Sequence, residues 1–155
     1  NALGKGEEEY YRALASSFML SADNAHAVHP NHPAKTDVNN CVYMNESIVV
    51  KSHAGQKYTS DAVSIAVFKG LCKKAGVPVQ FFSNRSDTAG GSTLGNIAMA
   101  QVSMNSVDIG LPQLAMHSSY ETAGVKDTAY MIKVMEEFFN SHIEEMSGHI
   151  LKVTK

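Results

Sequence analysis

One carboxylate and three imidazoles recur every third residue in the run Asp23-Asn24-Ala25-His26-Ala27-Val28-His29-Pro30-Asn31-His32-Pro33. A period of three suits an extended or polyproline-like chain, which would place all four side chains along one edge. Carboxylate and imidazole are donors that zinc and similar ions accept, so Asp23, His26 and His29 form a candidate ligand set. The same residues also suit a polar surface loop whose histidines bond only to backbone. Asp23 directly follows a short apolar run. In open α/β sheets ligands gather beyond the carboxyl ends of the strands, and that placement favours function.

Three further features carry possible chemistry. Ser86-Asp87-Thr88-Ala89-Gly90-Gly91-Ser92-Thr93-Leu94-Gly95 is a glycine-rich turn opening a helix. It is neither a Walker loop nor a G-x-S-x-G elbow, and reads as a tight strand-to-helix connection that can turn backbone N–H groups toward an anion. His117 follows the apolar residues Leu114 to Met116. Lys51 interrupts an apolar run, with Tyr58 seven residues later. Taken singly, these also read as a packed histidine, a snorkelling lysine and a half-buried tyrosine. Cys41 and Cys72 read as buried thiols, and Met99, Met104 and Met116 as core fillers.

Elements of helical and extended period alternate along the chain, the pattern of a layered α/β domain. Residues 7–17 read as a helix whose Glu7-Glu8-Glu9 is a solvated face, and 18–22 as a buried strand. Residues 24–40 form a loop, because Pro30 and Pro33 break both ladders and helices. Residues 47–53 read as a strand and 60–74 as a helix with Ala62, Ile65, Ala66 and Phe68 on its inner face, stopped by Gly76 and Pro78. Residues 79–83 and 107–111 are strands, 93–103 a helix, and 114–117 a possible fifth strand. Asp127 reads as the N-cap of a helix reaching about residue 143, with apolar stripes Tyr130, Val134, Phe138 and Ile132, Met135, Phe139.

Composition narrows the class. With 155 residues, 44% hydrophobic and 18% charged, the chain suits one folded domain. A net charge of -2 with arginine only at Arg12 and Arg85 leaves no basic stripe for nucleic acid. No apolar stretch approaches the roughly 20 residues of a membrane span. Two separated cysteines outside any C-x-x-C pattern suit a reducing cytoplasm. The first residue is not methionine, which suggests a processed, trimmed or excerpted sequence.

Four separated strings occur in one order: Ser21 to Asn31, Val50-Lys51 with Gln56-Lys57-Tyr58, Asp87 with Gly91 to Gly95, and Val107 to Ser118. Together they closely resemble the aspartyl aminopeptidase family of dinuclear zinc exopeptidases, most nearly its bacterial branch, over about residues 18–139. The resemblance implies a three-layer α/β/α fold with a mixed central sheet, and two zinc ions sharing a bridging carboxylate and an activated water, with manganese or cobalt as possible substitutes. It implies removal of single residues from peptides with a free N-terminus. Asp23 and His117 match ligands of one zinc, Asp23 also holding the substrate amine, and His26, Lys51 and Tyr58 match substrate contacts. His26 thus becomes a substrate contact rather than a ligand, and His29 and His32 become loop-packing residues. Lys51 suits an acidic first residue, Asp or Glu, whereas Lys57 stands where animal members tend to carry arginine, which keeps neutral residues such as Leu or Met open.

The family's upstream histidine, bridging aspartate and Glu-Glu pair have no match here, nor has its oligomerisation region. The resemblance therefore implies a single domain, residues 1–155, forming the C-terminal portion of the catalytic domain. Such a chain is expected to be inactive alone, to need the missing N-terminal half as partner, and to join a homo-oligomer. The competing expectation is a non-catalytic binding or shell-forming domain that kept the fold without the metal centre.

Overall fold

In the computed structural model, residues 2–146 and 150–155 are described. The chain opens with helix α1 (Glu7–Ala15), whose first turn is closed by the Gly6 N–H donating to Glu9 at 3.0 Å and which buries none of its residues. Strand β1 (Phe18–Ala22) is followed by the two-residue β2 (Ala25–His26) and a 3-10 turn (Pro33–Lys35). Then come β3 (Ile48–Ser52), helix α2 (Ala62–Ala75) and β4 (Val79–Ser83). Helix α3 (Leu94–Gln101), β5 (Asn105–Gly110), β6 (Pro112–Leu114) and β7 (Thr122–Ala123) precede helix α4 (Val125–Phe139). Strands β8 (His142–Met146) and β9 (Ile150–Thr154) end the chain as an antiparallel pair.

The central sheet runs β1-β5-β3-β4 and is mixed: β1 pairs parallel with β5, β3 parallel with β4, and β3 antiparallel with β5. Side chains alternate across its faces. Ile48, Val50, Val107 and Ile109 point to one face, where they are shut off from solvent beneath α2 and α4 with Phe68, Leu71, Cys72 and Val134. Val49 and Lys51 of β3 and Ser106 and Asp108 of β5 point to the other, which carries α3, the 53–60 loop and the 24–45 segment. These are the three expected layers, the second helical layer being only the short α3.

Local chemistry sets the boundaries. Asp61 caps α2 by accepting the Ser64 N–H at 2.7 Å, and Gly76 ends it at φ +65°, the left-handed geometry that glycine adopts without strain. Its buried face is Ser64, Val67, Phe68, Leu71 and Cys72, whereas Ala62 and Ala66 are exposed, so the expected stripe is rotated about the axis. Asp127 does not cap α4. Gly124 does, and Asp127 lies one turn in, fully buried, its Oδ2 accepting the Asn45 N–H at 2.6 Å. Burial pushes the Asp127 carboxyl up, against the pull of backbone donors at Asn45 and Ser47. The helix also ends at Phe139. Val134 is buried, but Ile132 and Phe139 of the second expected stripe are exposed, and Ile143 belongs to β8 instead. Ile143, Leu151 and Val153 of the terminal pair pack onto the main core.

Two tests follow from this packing. Asp127→Ala removes the buried acceptor of the Asn45 N–H, and urea unfolding should show a loss of about 1–3 kcal/mol at unchanged slope. Burial pushes the Cys72 thiol up to about 12, while Cys41 is half-buried. Because the thiolate is the reactive form, iodoacetamide at neutral pH should modify the native chain once, at Cys41, and the denatured chain twice, as read by mass spectrometry.

Candidate active-site cleft

The Asp23 segment is positioned by continued pairing. Beyond β1 the chain keeps its bonds to the β5–β6 strand: the N–H groups of Asp23, Ala25 and Ala27 donate to Ile109, Leu111 and Gln113, each at 2.9 Å. Asn24 latches the kink between β5 and β6. Its Oδ1 accepts the Leu111 N–H at 3.2 Å and its amide donates to Gln113. Gly110 permits the approach, since a Cβ there would lie 2.0 Å from the Asp23 carbonyl oxygen. Asp23 and His26 thereby face one cleft of about 190 Å3, which Lys51, Tyr58, Asn84, residues 88–93, Met116 and His117 also line.

Lys51 reaches this cleft from the middle of β3. It is 2% exposed, donates to Asp23 Oδ2 at 3.3 Å and to the Asn24 carbonyl at 3.4 Å, and lies 5.1 Å from the centre of the Tyr58 ring. It is therefore an inserted charge and not a snorkelling one. Burial pushes its pKa down, and the carboxylates of Asp23 and Asp108 oppose that shift. Desolvation by the cleft walls pushes the His26 imidazole down, His117 and Lys51 act the same way, and Asp23 opposes them. Burial raises the Tyr58 phenol, with the Asn84 amide pulling the other way. Asp23 keeps 49% of its side chain exposed, so an oxygen remains free toward the cleft.

His117 is presented by a turn rather than a strand. β6 ends at Leu114, and Ala115 and His117 take φ of +55° and +68°. The Ser118 N–H donates to Ala115 at 3.0 Å and the His117 N–H to Glu121 Oε1 at 2.7 Å, which hold the turn. Residues 114–117 are thus not the fifth strand that the sequence predicts.

The expected single edge of four donors divides. His29 and His32 line a neighbouring hollow of about 260 Å3, their rings 5.1 Å apart, and His26 borders both spaces. The cause is backbone pairing. Val28 turns away to donate to Val42, and His32 leads into the 3-10 turn. A separate hollow of about 620 Å3 along α1 shares no residue with the cleft. Glu7, Glu8 and Glu9 of that helix are exposed.

Sequence reasoning passed over Asp108, Thr59 and Thr93. Asp108 is fully buried on β5, and its Oδ2 accepts the Thr59 N–H at 2.6 Å and the Thr59 hydroxyl at 3.0 Å. The Ser60 hydroxyl accepts the Asp108 N–H at 2.9 Å. These bonds fix the loop that lays Tyr58 against Lys51. A lone aspartate between Val107 and Ile109 in a β-branched strand is the signal that could have found it.

The mixed sheet with its one-sided cleft is the architecture of a zinc-exopeptidase-like fold. Residues 1–139 match the family described as Aminopeptidase I zinc metalloprotease (M18), and the chain belongs to that family. A Clostridium novyi protein named probable M18 family aminopeptidase 2 is 51% identical over 139 residues, which are 90% of this chain and 32% of that protein. The chain thus spans about a third of the length of the curated relatives it matches. Among solved structures, the cryo-EM complex of Ape4 and Nbr1 matches with a TM-score of 0.86 at 37% identity, covering 89% of this chain and 26% of that one. The S. cerevisiae mApe1 dodecamer matches at 0.73 and 28% identity, covering 84% and 28%. β8 and β9 lie beyond the family match.

The donors fit a zinc ion in part. A carboxylate with a free oxygen and an imidazole face one cleft, which is zinc's chemistry. Among the described residues, however, no three His, Cys, Asp or Glu side chains converge to hold an ion. Asp108→Ala should cost about 1.5–3 kcal/mol, as expected when bonds to a charged buried acceptor are lost, and should shift the Tyr58 ring resonances. Asp108→Asn, which keeps an acceptor, should lose less by urea unfolding.

Proposed function

We propose that this chain is the C-terminal portion of the catalytic domain of a zinc-dependent aminopeptidase that removes N-terminal residues, Asp or Glu foremost, from peptides, and that it is inactive by itself. The observation that carries the reading is the convergence of Asp23, His26, Lys51, Tyr58 and His117, from separate segments, on one cleft of a chain in the M18 family. Asp23 and His117 would hold one zinc, and the upstream histidine, shared bridging aspartate and Glu-Glu pair that the resemblance implies would come from outside these residues, one glutamate as a ligand and the other as general base. When bound, zinc or its substitutes manganese and cobalt would polarise the scissile carbonyl and activate a water.

The residues of this chain orient the substrate. Asp23 accepts the free amine of the peptide, a charge-assisted contact that selects an N-terminus. His26 and Tyr58 line the two sides of the first residue. Lys51 supplies positive charge where an acidic side chain enters, although its bond to Asp23 commits part of it. A catalytic zinc uses at least three protein ligands, and two do not suffice. The dodecameric S. cerevisiae neighbour supports a homo-oligomer for the whole protein. The two unpaired cysteines support a cytoplasmic setting.

The purified chain, supplied with zinc, manganese or cobalt, should release no residue from Asp-, Glu-, Leu- or Met-peptides. Adding the remainder of the protein should restore release, fastest from Asp and Glu, and Asp23→Asn or His117→Ala should abolish it. Turnover by the chain alone would sink the incomplete-site reading. An assembled protein that holds no zinc, instead of about two per site, would favour the non-catalytic, shell-forming alternative.

A further inference from the structure

Tyr58 sits in the 53–60 loop, outside any strand or helix, so its place in the cleft is set by what holds the residues beside it. After Tyr58 the hold is Asp108, which accepts from Thr59. Before Tyr58 it is Asn96, the third residue of α3. Its Nδ2 donates to the Lys57 carbonyl at 2.6 Å, the Gln56 carbonyl at 3.1 Å and the Ser92 hydroxyl at 3.1 Å. One half-buried side chain thereby joins the loop before Tyr58, the end of the glycine-rich turn and the helix that the turn opens.

The joint holds backbone that would not keep its shape unaided. Gln56 takes a φ of +55°, a left-handed conformation strained for a residue with a Cβ. Such a conformation persists where its surroundings fix it, and the Gln56 carbonyl is one of the two that Asn96 binds. The glycine-rich turn meets the same loop at a second point. A Cβ at Gly90 would lie 3.1 Å from His53 Nε2, and the His53 ring stands edge-on to the Tyr58 ring with centres 5.9 Å apart. The turn therefore leans on the Tyr58 loop through His53 and is tied to it through Asn96. Residues 88–93 and Tyr58 line the one cleft that Asp23 and His117 also face.

We infer that Asn96 is a positioning residue for the cleft: it holds Tyr58 and the glycine-rich turn together as one wall, in place before a peptide arrives. The inference rests on the aminopeptidase reading above for what that wall meets, and on the three Asn96 bonds for the wall itself. Asn96 acts through Tyr58 and not on the substrate. A wall ordered in advance spares the cost of ordering it on binding, and such uniform binding is read in KM with kcat unchanged. The residue type separates this role from simple support of the helix. A carboxylate in the first turn of α3 is favoured by the positive end of the helix, so Asn96→Asp keeps the helix while it loses both donors and sets an acceptor against two carbonyls.

The test uses the 155-residue chain with carbon-13 in its tyrosine rings, the Tyr58 resonances being assigned from Tyr58→Phe. Asn96→Asp should move them, leave those of Tyr10 and Tyr11 on α1 in place, and keep or raise the urea midpoint. Asn96→Gln, which carries the same donors one methylene further out, should move them less. Should Asn96→Asp not fold, Asn96→Ala removes the donors with the best helix former and reads the same resonances. In the assembled protein, Asn96→Asp should raise KM for peptides about fivefold at unchanged kcat, the scale of one lost neutral hydrogen bond, and should add nothing in a Tyr58→Ala background. Unmoved Tyr58 resonances in a folded Asn96 variant, shifts that only track a lowered urea midpoint, or a KM effect that persists in full beside Tyr58→Ala would each overturn the inference. Moved resonances without release from any peptide would overturn only the aminopeptidase reading.

Discussion

A lysine 2% exposed on the middle strand of a sheet is the constraint around which the rest is arranged. Moving an ammonium out of water costs several kcal/mol unless it is paired and bonded, and Lys51 meets that demand with Asp23, the Asn24 carbonyl and the face of Tyr58. Each partner is itself held. Asp23 and Asn24 are fixed by bonds to the β5–β6 strand, and Tyr58 by Thr59 through Asp108. The ammonium thus ties β1, β3 and the 53–60 loop to one point. Removing one partner of such a pair leaves a buried charge uncompensated.

The sheet supplies the geometry. A purely parallel sheet would collect its ligands beyond the carboxyl ends of its strands, and the placement of Asp23 after β1 invites that reading. The antiparallel pairing of β3 with β5 changes it. Lys51 approaches from a strand running the other way, so the cleft lies where the end of β1 meets the flank of β3, roofed by the glycine turn and the His117 turn. Lys51, Ser106 and Asp108 on this face of the sheet and Ile48, Val50, Val107 and Ile109 on the other follow from the period-two alternation of the strands.

That division explains what the sequence made legible. β1 and β4 fall at the expected residues because apolar runs bounded by Asp23 and by Pro78 and Asn84 admit few other readings. The motif residues Asp23, His26, Lys51, Tyr58 and His117 line one cleft. Spacing alone misled where tertiary bonds decide. The period of three from Asp23 to His32 assumes one continuous extended segment, but Val42 draws Val28 aside and separates His29 and His32 from Asp23. Asp127 has the residue type of a cap, yet a loop 82 residues away in sequence claims it through Asn45. β8 stayed hidden because Ile143 extends the apolar period of α4, and only the Ser141 turn and packing against the core separate them.

The Lys51 bond also bears on how the site divides its labour. One oxygen of Asp23 is committed to the ammonium and the other is open, so Asp23 can serve a metal as a one-oxygen donor while remaining anchored. His117, held in a left-handed conformation by its own N–H bond to Glu121, adds a second donor from a different element. Under the proposed reading, these two groups would supply only part of a coordination shell, and a catalytic ion needs more. Metal loading and docking of the segment that supplies the rest would then be thermodynamically linked, each strengthening the other.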